Sequence, residues 1–216
     1  MQRHNINDVF LNQTVFRTVV AVGKNFTTRI DVTYVHNSST TPEKFKQSGI
    51  GDISFRLLGY RFLEKKRSAF TASVEVSLNR AQSPLLGAGK NLLLPVVSYT
   101  NMIPDKKILL SIVLHQANSV SGDEARANIS FSKLQLIGIK YFGRKTWLFV
   151  APELFLDYVK GGTSMNFRSR LAHAPTSRVN IWITAGAGLF GDFAGRYDWN
   201  VDAGGRYFLF RSKSKK

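Results

Sequence analysis

Residues 49–79 read GIGDISFRLLGYRFLEKKRSAFTASVEVSLN, and this stretch decides the fold. Its second half alternates almost without error. Phe70, Ala72, Val74, Val76 and Leu78 fall on one face; Thr71, Ser73, Glu75, Ser77 and Asn79 fall on the other. Successive side chains of a strand point to opposite faces, so this segment has one apolar and one polar side. The first half sets Ile53, Phe55 and Leu57 against Asp52, Ser54 and Arg56. The short charged run Glu64-Lys65-Lys66-Arg67-Ser68 turns one arm into the other. The pattern predicts a β-hairpin with a greasy face and an ionic face.

The same unit recurs on both sides. Gln13–Val22 and Phe26–His36 flank the turn Gly23-Lys24-Asn25, and a polar loop is expected at Asn37–Ser48. After the hairpin and the Gly/Ser loop Arg80–Lys90 come Asn91–Met102, Ile108–Asn118 and Asn128–Phe142. Thr146–Tyr158, Met165–His173, Val179–Leu189 and Tyr197–Phe210 complete the series. Each segment is about ten residues long, enough for a tilted strand to cross a bilayer. Pro95 interrupts one of them and cannot donate a ladder hydrogen bond. Short basic turns alternate with longer loops of Ser, Gly, Asn and Thr. Such alternation is the topology of outer-membrane barrels, with short turns periplasmic and long loops outside.

Bulk composition supports a barrel and excludes other classes. The 216 residues contain no run of eighteen apolar residues, so no spanning helix is expected. A spanning barrel remains open, because its strands are half polar. Without cysteine there is no disulfide framework, thiolate metal site or thiol nucleophile. His4, His36, His115 and His173 show no metal-ligand spacing, and no cofactor is expected. The net charge of +16 raises nucleic acid as a partner. The charges gather at turns and in the tail, however, and the aromatics lie within apolar strand faces rather than on a basic platform. The expected partners are anionic lipid headgroups at the basic turns and a small-molecule solute, with no nucleic acid. A monomer is expected.

Aromatics cluster near strand ends at Tyr60, Phe62, Tyr141, Phe142, Trp147, Tyr158, Tyr197, Trp199, Tyr207 and Phe208, as interfacial girdles require. The expectation is an all-β, antiparallel, up-and-down transmembrane barrel of about twelve strands in a single domain, residues 1–216. Eleven strands are readable. Residues 1–12 read as a polar lead-in and 211–216 as a basic tail, so the first strand is expected either upstream of Met1 or missing.

Four runs in order, Ser48–Leu63, Leu86–Tyr99, Ala151–Tyr158 and YDWNVDAGGRYFLF from Tyr197, resemble putative outer-membrane transporters of the "MetA-pathway of phenol degradation" type. The resemblance covers residues 13–210. It implies an outer-membrane barrel that passes or binds small, often apolar molecules. The basic tail after Phe210 departs from the aromatic ending common to such chains.

With the polar faces turned inward, the lumen is expected to carry Arg17, Arg29, Asp31, Asp52, Arg56, Glu75, His115, Glu153, Asp157, Arg168, Arg170, Asp198, Asp202 and Arg206. Charges in such a place must be paired or wet, and they set what passes. The expected role is a non-enzymatic channel or transporter of the bacterial outer membrane. One alternative is a barrel-embedded lipid hydrolase using His115, where a catalytic serine is needed within hydrogen-bond reach. Ser111 and Ser119 are each four residues away on the same face, about 13 Å on an extended strand. A second alternative is a soluble ligand-binding barrel with its apolar face inward. Gly87-Ala88-Gly89-Lys90 lacks the spacing, the Ser or Thr and the helix of a phosphate loop.

Overall fold

A computed structural model describes residues 2–6, 9–23, 25–39, 46–83, 85–191 and 197–209. They form twelve strands: β1 (Gln2–Ile6), β2 (Val9–Val22), β3 (Phe26–Ser39), β4 (Lys46–Glu64), β5 (Ser68–Leu78) and β6 (Lys90–Ile103), then β7 (Ile108–Gly122), β8 (Ser130–Phe142), β9 (Thr146–Asp157), β10 (Thr163–His173), β11 (Val179–Phe190) and β12 (Trp199–Tyr207). Each pairs antiparallel with its sequence neighbours, and β1 lies between β12 and β2, closing the barrel. Closure satisfies the facing edges of β12 and β2 along the length of β1.

The first strand corrects the sequence expectation. Residues 1–12 look too polar and short for a strand, yet Gln2–Ile6 pairs on both sides, with Gln2 opposite both Asp202 and Gln13. The twelfth strand of the ring therefore comes from within the lead-in. It spans only the long-loop half of the wall. Among the described residues, Thr14–Val22 of β2 and Ala203–Tyr207 of β12 have no neighbour on that side. Both faces of β2 are accordingly open there, with Phe16 and Val19 exposed alike. The loop expected at residues 37–48 is also shorter, because β3 runs to Ser39 and β4 begins at Lys46.

The greasy faces point outward. Phe16, Ile112 and Ile183 are 65, 52 and 57% exposed, whereas Glu153 and Asp202 are 3% exposed. Among the described residues no dry apolar centre forms inside the barrel, so the soluble-barrel reading fails. An aromatic belt circles the short-turn end on the outer face. Phe26 stacks on Tyr60 at 4.7 Å, Phe62 meets Phe70 at 5.9 Å, and Phe70 meets Tyr99 at 4.8 Å. Rings at that level suit the membrane interface. Three aromatics expected in the girdles lie elsewhere. Tyr141 and Trp147 share the lumen parity of Gln135 and Glu153 and contact each other at 6.5 Å. Tyr197 is buried, its hydroxyl 2.6 Å from where a Cβ on Gly186 would stand.

The turns behave as their residues dictate. Lys65 and Ser68 exchange both backbone hydrogen bonds around Lys66-Arg67. Gly23 and Gly143 take positive φ in the tight turns of the same end, where a Cβ would be strained. Pro95 leaves its mark: the β6–β7 ladder steps from Leu93–Asn118 to Val96–His115 with no pairing at 94 and 95. The tail 211–216 lies outside the described residues.

Candidate functional site

Register decides which lumen charges meet. Arg17 and Asp31 are direct partners across β2–β3, and their side chains form a two-pronged ion pair at 2.8 and 2.7 Å. Across β3–β4, Arg29 and Arg56 stand opposite each other, an unfavourable like-charge pair. Carboxylates on both sides relieve it. Glu75 accepts from Arg29 and from Arg56, both at 2.6 Å, and Asp31 lies 3.2 Å from Arg29. The order Arg17–Asp31–Arg29–Glu75–Arg56 is thus one alternating ladder across four strands.

A second network lines the opposite wall. Glu153 of β9 accepts from Gln135 of β8 at 2.6 Å and pairs with Arg168 of β10. Arg170 donates to Thr184 at 2.7 Å and lies 3.6 Å from Asp202. Asp202 also accepts from the Trp182 indole at 3.0 Å. The guanidinium of Arg170 rests between Phe149 and Trp182, 5.8 and 5.1 Å from their centroids, a cation–π arrangement. Gly204 makes room: a Cβ there would meet the Trp182 ring at 2.5 Å. Buried carboxylates with several partners each fit the rule that enclosed charge must be compensated.

Three of the expected lumen acids do other work or sit apart from these networks. Asp52 accepts the backbone N–H of Ala88 at 2.7 Å and so ties down the loop between β5 and β6. Leu86 of that loop is buried, Asn37 donates to the Leu85 carbonyl, and Gln82 bonds Ile50 through backbone and side chain. The loop is therefore fastened over the β3–β4 rim, and Gly87 serves that contact, since a Cβ there would meet Asp52 Oδ1 at 2.5 Å. Asp157 accepts the N–H groups of Val159 and Lys160 at 2.9 Å, shaping the β9–β10 turn. Asp198 precedes β12 at the rim. Arg206 lies on the lumen parity at the short-turn end, 5.9 Å from the Phe208 ring.

His115 faces the lumen without a nucleophile. Ser119 serves Ile129 and Asn128, while Ser111 serves Tyr99 and Thr100. Neither hydroxyl bonds the imidazole, so the geometry of a hydrolase dyad is missing. Among the described residues, no group of three or more His, Asp and Glu could hold a metal ion. Lys133, Gln135, Thr184 and Trp182 also belong to the lumen; the last three carry no charge, and no motif in the sequence marks any of the four. Alternation in Lys133-Leu134-Gln135-Leu136 is the signal that places the first two.

Between the rims, among the described residues, the lumen-facing cations are Arg17, Arg29, Arg56, Lys133, Arg168 and Arg170, and the carboxylates are Asp31, Glu75, Glu153 and Asp202. Positive charge is in excess.

No family model matches the chain, and no curated protein matches it. Solved structures do. The COG4313 outer membrane channel from Pseudomonas putida F1 superposes with a TM-score of 0.76 at 15% identity, covering 96% of this chain and 92% of that one. NanC porin gives 0.67 at 8% identity over 96 and 98% of the two chains. KdgM porin gives 0.63 at 10% identity over 97 and 98%. At these identities the likeness is one of fold. The lipid-facing apolar band, the closed antiparallel ring and the enclosed ionic networks define an outer-membrane β-barrel with the architecture of channels and porins.

Proposed function

We propose that the chain is a channel of the bacterial outer membrane that passes small solutes and prefers anions. The observation that carries this reading is the surplus of cations over carboxylates along the lumen wall. A surplus of one sign along a pore concentrates the opposite ion and repels its own kind. Apolar patches on the same wall, Val15 and Val19 on β2 and Leu94, Val96 and Val113 on β6 and β7, suit solutes that are partly apolar. The four sequence runs that resemble the phenol-degradation-pathway type of transporter fall, as far as Leu209, in strands or rim loops of the barrel. The basic short turns, including Lys65-Lys66-Arg67 and Arg144-Lys145, hold anionic headgroups at the membrane surface.

The test is the reversal potential of the purified protein in a planar bilayer under a tenfold KCl gradient. A potential displaced toward chloride is expected. A potential displaced toward potassium, or no conductance at all, refutes the proposal.

A further inference from the structure

One transverse row of the lumen wall remains outside both ionic networks. Across β6 to β9 it runs Val96, His115, Lys133, Phe155, each the direct partner of the next. The ammonium of Lys133 lies 5.8 Å from the Phe155 centroid, and among the described residues no carboxylate stands within ion-pair distance of it. Beside it, Nε2 of His115 is buried without a hydrogen-bond partner. The charges that act on His115 are those of Lys133, Arg56, Arg29 and Arg168, all positive. Of these, Arg29, Arg56 and Arg168 have their own carboxylates, whereas Lys133 has none. An enclosed cation beside an unsatisfied imidazole is costly unless something completes it.

The surroundings say what completes it. The next row toward the long-loop end holds Ala117 and Phe131 and ends on Asp157, whose carboxylate accepts the Val159 and Lys160 N–H groups, and the Phe131 and Phe155 rings meet at 5.9 Å. Hydrocarbon thus lies on the long-loop side of the polar pair, while the row on its short-turn side holds Val113, Gln135 and Glu153, the last two already bonded to each other and Glu153 also to Arg168. Lys133 supplies a charged donor, and a neutral imidazole can present a proton on Nε2. Two donors side by side match the two oxygens of one carboxylate. The apolar neighbours match a body that carries no further charge.

We propose that His115 and Lys133 form a binding site for small monocarboxylates with an apolar body, met by solutes entering from the long-loop side. The site deepens the anion-channel reading and rests on it. A weak site inside a pore raises the local concentration of its ligand while still releasing it.

The test uses the full chain in detergent micelles, with empty micelles as blank, titrated with sodium benzoate and followed by ligand-detected NMR. Benzoate is expected to bind, with benzyl alcohol and inorganic phosphate each binding less tightly. Lys133→Met, which removes an unpaired charge and keeps the volume, is expected to weaken benzoate about tenfold or more, the effect of losing one charge-assisted hydrogen bond. Phe155→Leu is expected to weaken benzoate more than acetate. Equal binding by Lys133→Met and the parent, or phosphate or benzyl alcohol matching benzoate, overturns the site. Benzoate is also added to the bilayer. Chloride-selective current that benzoate does not block overturns the site alone. Benzoate binding in micelles without chloride selectivity overturns the channel reading alone.

Discussion

Replacing Glu75 by Gln tests the lumen ladder most directly. The side chain keeps its shape but loses the charge that separates Arg29 from Arg56, which face each other across β3–β4. One of its two terminal atoms also becomes a donor, and it then meets a guanidinium that can only donate. Removing one partner from a buried ion pair costs about 3–5 kcal/mol. Water in the lumen reduces that figure here, because the Arg56 side chain keeps 28% of its exposure. A loss of about 2–3 kcal/mol is expected, read as a lower thermal midpoint in detergent. The same change should sharpen ion selectivity. One negative charge about 5 Å from a passing ion in a wet pore contributes about 0.8 kcal/mol, attracting cations and repelling anions. Deleting it should raise anion permeability and lower cation permeability by about fourfold each, or about sixteenfold in their ratio. The assay is the reversal potential of parent and Glu75→Gln barrels under one KCl gradient. A variant that keeps both the midpoint and the reversal potential of the parent would show that Glu75 neither braces the wall nor sees the permeating ion.

Three further outcomes follow from the geometry. Ile183→Arg places a cation on the lipid face and should cost about 2–4 kcal/mol in refolding into lipid vesicles if it lies near the midplane; neutral behaviour would contradict the outward assignment of β11. Gly204→Val drives a side chain into the Trp182 ring and should break its bond to Asp202, seen as altered tryptophan emission once Trp147 and Trp199 are replaced by Phe; unaltered emission would disprove the contact. Asp52→Ala removes the acceptor for Ala88 N–H and should speed proteolysis within residues 80–89 by about tenfold or more, the effect of losing one hydrogen bond to a charged group, with the barrel itself intact; unchanged cleavage would mean the loop is fastened by its other contacts alone.

The strands and their faces could be read from the order of residues, because a side-chain period of two is a local property. Val74, Val76, Ile112 and Ile183 alternate with polar neighbours, and the membrane then leaves only one place for the polar side. Register is not local. Glu75 bridges Arg29 and Arg56 only because three strands align at that level, and no spacing in the chain encodes the alignment. The same limit explains the misplaced pieces. Gln2–Ile6 lacks apolar alternation, and it becomes a strand because two neighbouring edges supply its hydrogen bonds. Tyr197 looks like a girdle residue by its position near a strand end, but the space over Gly186 draws it inward. Lys133 and His115 lie eighteen positions apart in sequence, and only the β7–β8 pairing makes them neighbours. Alternation along the chain thus decided which side chains the barrel encloses, and tertiary closure decided which enclosed charges find a partner and which do not.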